Sequence, residues 1–258
     1  MGEFGKSILM PLPAHGFDPT EAAVTWKILT ERGYDVVVAT PDGGVPQADP
    51  IMVTGRGLAL LKRVLRADAN GRAAYAQFSA SPACQSPLSY KEAADVPLLG
   101  LVLPGGHAKE MRPYLESEVL QGLVVKACRE GILVAAICHG VLLAARSIDP
   151  ETGRSVLHGK KVTTLPAHME LLAHRLTKLW MGDYYRTYPE TTTEEEVRSF
   201  LMGAADFDVG PKGTTRDTPS DSSPGFVVQD GNLITARWPG DAHRFGAAIC
   251  DSLAATLR

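Results

Sequence analysis

Three observations predict an α/β fold with a doubly wound, mostly parallel sheet of the flavodoxin-like kind. Apolar runs without polar interruption, at Leu98–Leu103 and Ile132–Ile137, suit strands buried on both faces. Between them lie stretches of helical periodicity, so strands and helices alternate along the chain. The first strand, helix and second strand fit within about thirty residues, the span of a right-handed βαβ unit.

Taken in order, Ser7–Met10 reads as the first strand, and the turn Pro11–Gly16 leads to Asp18-Pro19-Thr20-Glu21 at the head of a helix. Asp18 is a good N-cap and Pro19 a good first helical residue, while Gly33 supplies the left-handed stop. Ala22, Ala23, Trp26, Ile28 and Leu29 form the apolar stripe, and Asp35–Ala39 is the second strand. Residues 42–97 lack a strong strand signal and read as a cap insertion, with helical spacing at Leu58, Leu61 and Leu65. Leu98–Leu103 is the third strand, Ser117–Glu130 a returning helix, and Ile132–Ile137 the fourth strand. Val141–Ala145 begins another helix, Lys161–Thr164 is expected as a fifth strand, and Ala167–Leu179 as a helix. Residues 180–225 read as a second insertion, with an aromatic run at Tyr184–Tyr188, a capped helix start at Thr193-Glu194-Glu195-Glu196 and a long loop over Gly203–Pro224. A hairpin turning at Asp230-Gly231-Asn232 and a helix over Ala242–Leu257 close one domain spanning 1–258.

The net charge of −3 gives no basic footprint for nucleic acid, and no segment approaches the ~18 apolar residues of a membrane span. A small molecule is therefore the expected partner, with neither nucleic acid nor membrane. The N-terminal apolar run is too short for a signal peptide, and Lys6 stands where N-myristoylation after Met1-Gly2 needs a hydroxyl residue. Four scattered cysteines form no disulfide framework, which suits a reducing cytoplasm.

Cysteine chemistry concentrates at one position. Cys138-His139-Gly140 joins a buried strand directly to a helix, the arrangement of a nucleophile elbow with cysteine in the serine position. A helix N-terminus favours negative charge, so Cys138 is expected to be more thiolate than a free cysteine of pKa about 8.5. Cys128 and Cys250 lie within helical patterns and read as packing residues. Glu21 follows the first strand and Gly105-Gly106 the third, so all three strand ends converge on one crevice at the carboxyl edge of the sheet. Tandem glycines let backbone amides approach a ligand, and with the His139 amide they could form an oxyanion hole. Glu21 also stands three residues after Asp18, the place of a capping-box glutamate. His107 reads as a pocket residue or a loop residue. No His/Cys/Asp/Glu cluster has metal spacing, so no metal and no cofactor are expected.

These residues resemble the ThiJ/PfpI superfamily, which shares its fold with class I glutamine amidotransferases. The resemblance rests on Glu21 and Val24, on the stretch from Gly33 to Gly43, on Leu103-Pro104-Gly105-Gly106-His107 and on Ala136-Ile137-Cys138-His139-Gly140. The large segment before Leu98 and the His107 after the glycine pair make it similar to the branch of heat-shock chaperones with glyoxalase III activity. That resemblance implies Cys138 as nucleophile, His139 as its partner, Glu21 as an acid beside them, and an acidic third triad member. The spacing after Pro166 assigns this last role to Glu170, with His168 as the fallback partner and His174 as structural. It further implies a small reactive carbonyl such as methylglyoxal as substrate, and a homodimer. Amide or peptide hydrolysis by the same Cys-His-Glu set remains open, as does a non-enzymatic holdase or cysteine redox sensor.

Overall fold

The computed structural model describes residues 6–256; Met1, Gly2 and Leu257 lie outside the described residues. A seven-stranded sheet forms the centre. Its strands are β1 (Ser7–Pro11), β2 (Val36–Thr40), β3 (Leu88–Ser89), β4 (Leu98–Leu103), β5 (Leu133–Ile137), β6 (Val227–Asp230) and β7 (Leu233–Ala236). Their spatial order is β6-β7-β5-β4-β1-β2-β3. All pair in parallel except β6, which returns antiparallel to β7 through the expected hairpin. Within this sheet β2-β1-β4-β5-β7 is the doubly wound order, whose direction reverses between β1 and β4. The side chains of β1 and β5 are buried on both faces, which accounts for their continuous apolar sequence.

The connecting helices are α1 (Pro19–Glu31), α2 (Ala69–Ser79), α3 (Glu118–Arg129), α4 (Gly140–Arg146), α5 (Ala167–Met181), α6 (Thr193–Ser199) and α7 (Ala242–Thr256). Right-handed crossovers outward from the switch point place α1 and α3 on opposite faces of the sheet. α7 packs beside α1, and α3 and α4 pack against β4 and β5. Helix α1 starts as anticipated: Asp18 Oδ1 accepts from the amides of Thr20 (2.7 Å) and Glu21 (3.1 Å), and Pro19 opens the first turn.

Three expectations need correction. Lys161–Thr164 is not a strand of the sheet, because β7 occupies the place beside β5. Only Val162 makes a bridge, to Phe207, and the neighbouring polar groups are spent elsewhere. The Lys161 amide donates to Asp230 Oδ2 (2.9 Å), the Thr163 amide to Thr235 Oγ1 (2.9 Å) and the Thr164 hydroxyl to the Cys138 carbonyl (2.8 Å). In the first insertion the helical spacing at 58–65 yields one turn of 3-10 helix and the short helix Lys62–Leu65, while the main helix is α2. α2 lacked a clear apolar stripe, yet Asp68 caps it, Gly71 rests on Thr20 and Phe78 packs on Phe17 and Trp26. The cap of α6 is Thr192, not Thr193, in a reciprocal box with Glu195.

Candidate active site

The site begins with a strained residue. Cys138 has φ of +56°, a left-handed conformation that non-glycine residues rarely hold, and it sits where β5 passes directly into α4. Its amide donates to the Ala236 carbonyl at 3.0 Å, so β7 ties the elbow down. Gly140 cannot be larger, since a Cβ there would stand 2.0 Å from the Leu103 carbonyl oxygen. Gly105 is equally confined, with His139 N, Ile137 O and Glu21 Oε2 all within 2.8 Å of a would-be Cβ. The ends of β4 and β5 are therefore pressed together, and the first turn of α1 closes the third side.

Glu21 is completely buried, and its carboxylate turns into the crevice instead of back onto its own cap. The Gly105 amide donates to Glu21 Oε2 at 2.8 Å, and the Asp18 amide, which a capping box would use, donates to the Gly105 carbonyl at 2.9 Å. Burial and the neighbouring Asp18 carboxylate push Glu21 well above the usual carboxylate range, outweighing the Gly105 amide and the Cys138 thiol. Asp18, read from the sequence only as a cap, is itself raised by burial to about 6.

Cys138 departs from the thiolate expectation. Burial, then the carboxylates of Glu21 and Asp18, push its thiol well above the ordinary value, and the His139 amide only partly offsets them. The helix terminus is present, but two buried acids outweigh it. His139 Nδ1 lies 3.4 Å from Cys138 Sγ. Burial, with His107 and Arg146 nearby, pushes the imidazole down to about 3. The resting pair is consequently a neutral thiol beside a neutral imidazole.

The structure does not bring Glu170 to His139. Glu170 Oε2 accepts from the Thr193 amide at 2.9 Å at the start of α6, and Oε1 pairs with Arg186 Nε at 3.2 Å. His139 Nδ1 faces the thiol, and its Nε2 has no hydrogen-bond partner among the described residues. The fallback, His168, is exposed on α5, and His174 pairs with Asp183 at 3.1 Å, as a structural residue would. The oxyanion expectation also narrows. The Gly105 amide is committed to Glu21, which leaves the amides of Gly106 and His139 at the strand ends.

His107 is packed beneath the aromatic run. Its ring stacks on Tyr185 at 4.5 Å and meets Tyr184 edge-on at 4.7 Å. Its Nε2 lies 3.9 Å from Asp49 Oδ2, to which the Tyr184 hydroxyl donates at 2.5 Å. The Thr187 hydroxyl donates to the His107 carbonyl at 2.7 Å, so the aromatic run is fastened over the Gly106-His107 loop. Two groups had no sequence signal of this role. Asp49 lay unmarked in the first insertion and Arg216 in the long loop Gly203–Pro224, yet Arg216 stands over the Trp238 ring at 4.9 Å just beyond β7 and acts electrostatically on Asp18. Among the described residues no group of three or more His, Cys, Asp or Glu side chains is arranged to hold a metal ion.

The family model for ThiJ/PfpI family-like proteins matches residues 12–198, most of the chain, including Glu21, Gly105, His107, Cys138 and His139. The chain belongs to the ThiJ/PfpI family. Two curated relatives from Saccharomyces cerevisiae, the probable glutathione-independent glyoxalases SNO4 and HSP32, are each 35% identical over 81 residues. The match spans 31% of this chain and about a third of each relative's length (32%). ThiJ/PfpI-type folds recur among solved structures. Glyoxalase III from Candida albicans has a TM-score of 0.64 at 17% identity, covering 96% of this chain and 97% of that one. Rapid Encystment Protein 24 KDa from Francisella tularensis reaches 0.69 at 18% identity, covering 96% and 99%. DJ-1beta from Drosophila melanogaster gives 0.56 at 20% identity, covering 97% and 91%. These likenesses establish the shared fold. Among the described residues no helix is long and apolar enough to cross a membrane.

Proposed function

We propose that the protein is a glutathione-independent glyoxalase that converts a small 2-oxoaldehyde such as methylglyoxal into the 2-hydroxy acid. The observation that carries this reading is Glu21, a buried carboxyl with no cation bonded to it among the described residues, held by the Gly105 amide beside the Cys138 thiol. Isomerising a 2-oxoaldehyde requires a group that takes a proton from one carbon and gives it to the next, and an acid with raised proton affinity does both.

In this mechanism Cys138 Sγ bonds to the aldehyde carbon while its proton passes to His139 and Glu21 protonates the aldehyde oxygen, forming a hemithioacetal. The Glu21 carboxylate then removes the hydrogen on that carbon, and His139 returns its proton to the adjacent carbonyl oxygen, giving an enediol. Glu21 delivers its proton to the second carbon and recovers the hydroxyl proton from the first, leaving a thioester on Cys138. Water cleaves the C–S bond, the carboxylic acid leaves, and the remaining water proton restores the thiol. The amides of Gly106 and His139 suit the oxygen on the first carbon as charge grows there. Amide hydrolysis by a Cys-His-Glu triad is the weaker reading, because its expected third member, Glu170, is engaged with Arg186 and Thr193 and does not reach His139.

Methylglyoxal, glutamine and a casein-like peptide, each incubated with the full-length protein without glutathione, test the reading. Lactate formation that disappears in Cys138→Ser supports it. Release of ammonia or peptide fragments with no lactate overturns it in favour of hydrolysis, and no turnover of any of the three overturns the enzymatic reading.

A further inference from the structure

The first insertion contains a run whose local charge is unlike that of the chain. From Gly55 to Ala67 it carries Arg56, Lys62, Arg63 and Arg66 and no acid, although the whole chain has a net charge of −3. The run is too short to be covered on every side. Its inner residue Leu58 joins Met52 and Tyr185 in a small second core, separate from the one beneath the sheet. Outward it leaves Leu60 98% exposed and Val64 66% exposed.

The end of α5 continues the same surface. Leu172, Leu176 and Leu179 stand at spacings of four and three, one stripe of the helix, and all are exposed, Leu179 by 89%. Trp180 is 50% exposed, and its indole N–H donates to the Gly57 carbonyl at 2.9 Å, which stitches α5 to the run. Arg175 and Lys178 add two cations on this helix. None of the six cations forms an ion pair among the described residues. The run and the end of α5 are thus joined through Trp180 and the small core, and together they expose large apolar side chains interspersed along the chain with cations, the composition of an interaction site.

We infer that this face docks the protein on an anionic lipid surface. Leucines, a valine and a half-exposed tryptophan suit the boundary between headgroups and acyl chains, and unpaired Lys and Arg suit lipid phosphates and carboxylates. A second copy of this chain fits poorly, because a two-fold contact would set the same cations against each other. Nucleic acid would engage the cations but leave Leu60 and Leu179 without a partner, since aliphatic side chains offer no stacking plane. The whole-chain charge and the lack of a spanning helix, which argued from sequence against a membrane partner, do not bear on a local patch of this kind. Tyr185 links the patch to the site, since it packs in the small core with Leu58 and stacks on His107.

Vesicles of phosphatidylcholine alone and of phosphatidylcholine with phosphatidylserine, sedimented with the full-length protein, test this. We expect binding to the serine-containing vesicles, weakening as salt is raised, with a blue shift of emission that Trp180→Phe removes. Each cation near the surface contributes about five-fold in partitioning, so Lys62→Ser with Arg63→Ser should cut binding about 25-fold. Leu60→Ser with Leu179→Ser should weaken it further without altering the circular dichroism spectrum. The inference is overturned if serine-containing vesicles are not bound at low salt, or if binding ignores these substitutions. It is equally overturned if the leucine substitutions convert a dimer into a monomer in the absence of lipid, or if an RNA homopolymer is retained through Lys62 and Arg63 while vesicles are not.

Discussion

Two buried glutamates stand in comparable places, each in the first turn of a helix with a proline at its start, Pro19 as the first residue of α1 and Pro166 as the cap of α5, and they have opposite surroundings. Glu170, at the start of α5, is neutralised by Arg186 and the Thr193 amide, so its charge is used to join α5 to α6. Glu21, at the start of α1, has one amide, no cation bonded to it among the described residues and a second acid, Asp18, next to it. Burial alone therefore does not make an acid reactive. Burial raises the proton affinity of both, but Glu170 is held down by the Thr193 amide and the Arg186 cation, whereas Glu21, with Asp18 beside it, is pushed well above the usual carboxylate range.

Exchanging carboxyl for amide at the two positions breaks the comparison most sharply. Glu21→Gln keeps an acceptor for the Gly105 amide but cannot carry a proton, so turnover of the 2-oxoaldehyde should fall about a hundred- to ten-thousand-fold while the fold persists. Steady-state rates and circular dichroism of the purified variant check both halves. Glu170→Gln should do the reverse. It leaves Arg186 buried without its counter-charge, costing about 3 kcal/mol of stability, while the pH dependence of Cys138 reactivity stays unchanged. Denaturant midpoints and alkylation rates measured against pH separate these effects.

How much of this could be read from the sequence follows the same division. The βαβ start, the Asp18-Pro19 cap, the β4 and β5 strands and the elbow at Cys138 were legible, because each depends on neighbouring residues and on periodicity. Lys161–Thr164 was misread because being a strand depends on which segment wins the edge of β5, a contest the distant Leu233–Ala236 wins. Glu170 was placed by spacing from Pro166, but spacing carries no information about Arg186, which arrives from the second insertion. Asp49 and Arg216 were invisible for the same reason, since only the folded insertions bring them to the crevice. Cys138 was read with its local helix terminus and with Glu21 as a neighbouring acid, but without the burial and the Asp18 carboxylate that, together with Glu21, push its thiol up.

A smaller effect sharpens the point that burial works on acids generally. Asp217 is pushed by burial up to about 7, despite the Arg244 amide that donates to it at 2.7 Å. The unfolded chain releases this proton near the ordinary value of 3.8, whereas the folded chain keeps it to higher pH. The folded state therefore binds more protons between these values, and this group's contribution to stability falls as pH rises from about 4 to about 7. Asp217→Asn should flatten that part of the stability profile relative to wild type, as thermal melts across the window would record.

The most direct test of the account is the ionisation of Cys138 itself, followed by thiolate absorbance against pH with Cys138→Ser as the blank. If Glu21 and Cys138 share the buried site as described, the wild-type thiol titrates above an ordinary cysteine. Glu21→Gln, by removing a neighbouring negative charge, then lowers that value even as it abolishes turnover. A wild-type thiol that already ionises below the ordinary value, or a titration that Glu21→Gln leaves unmoved, would contradict the coupling on which the site and its proposed chemistry rest.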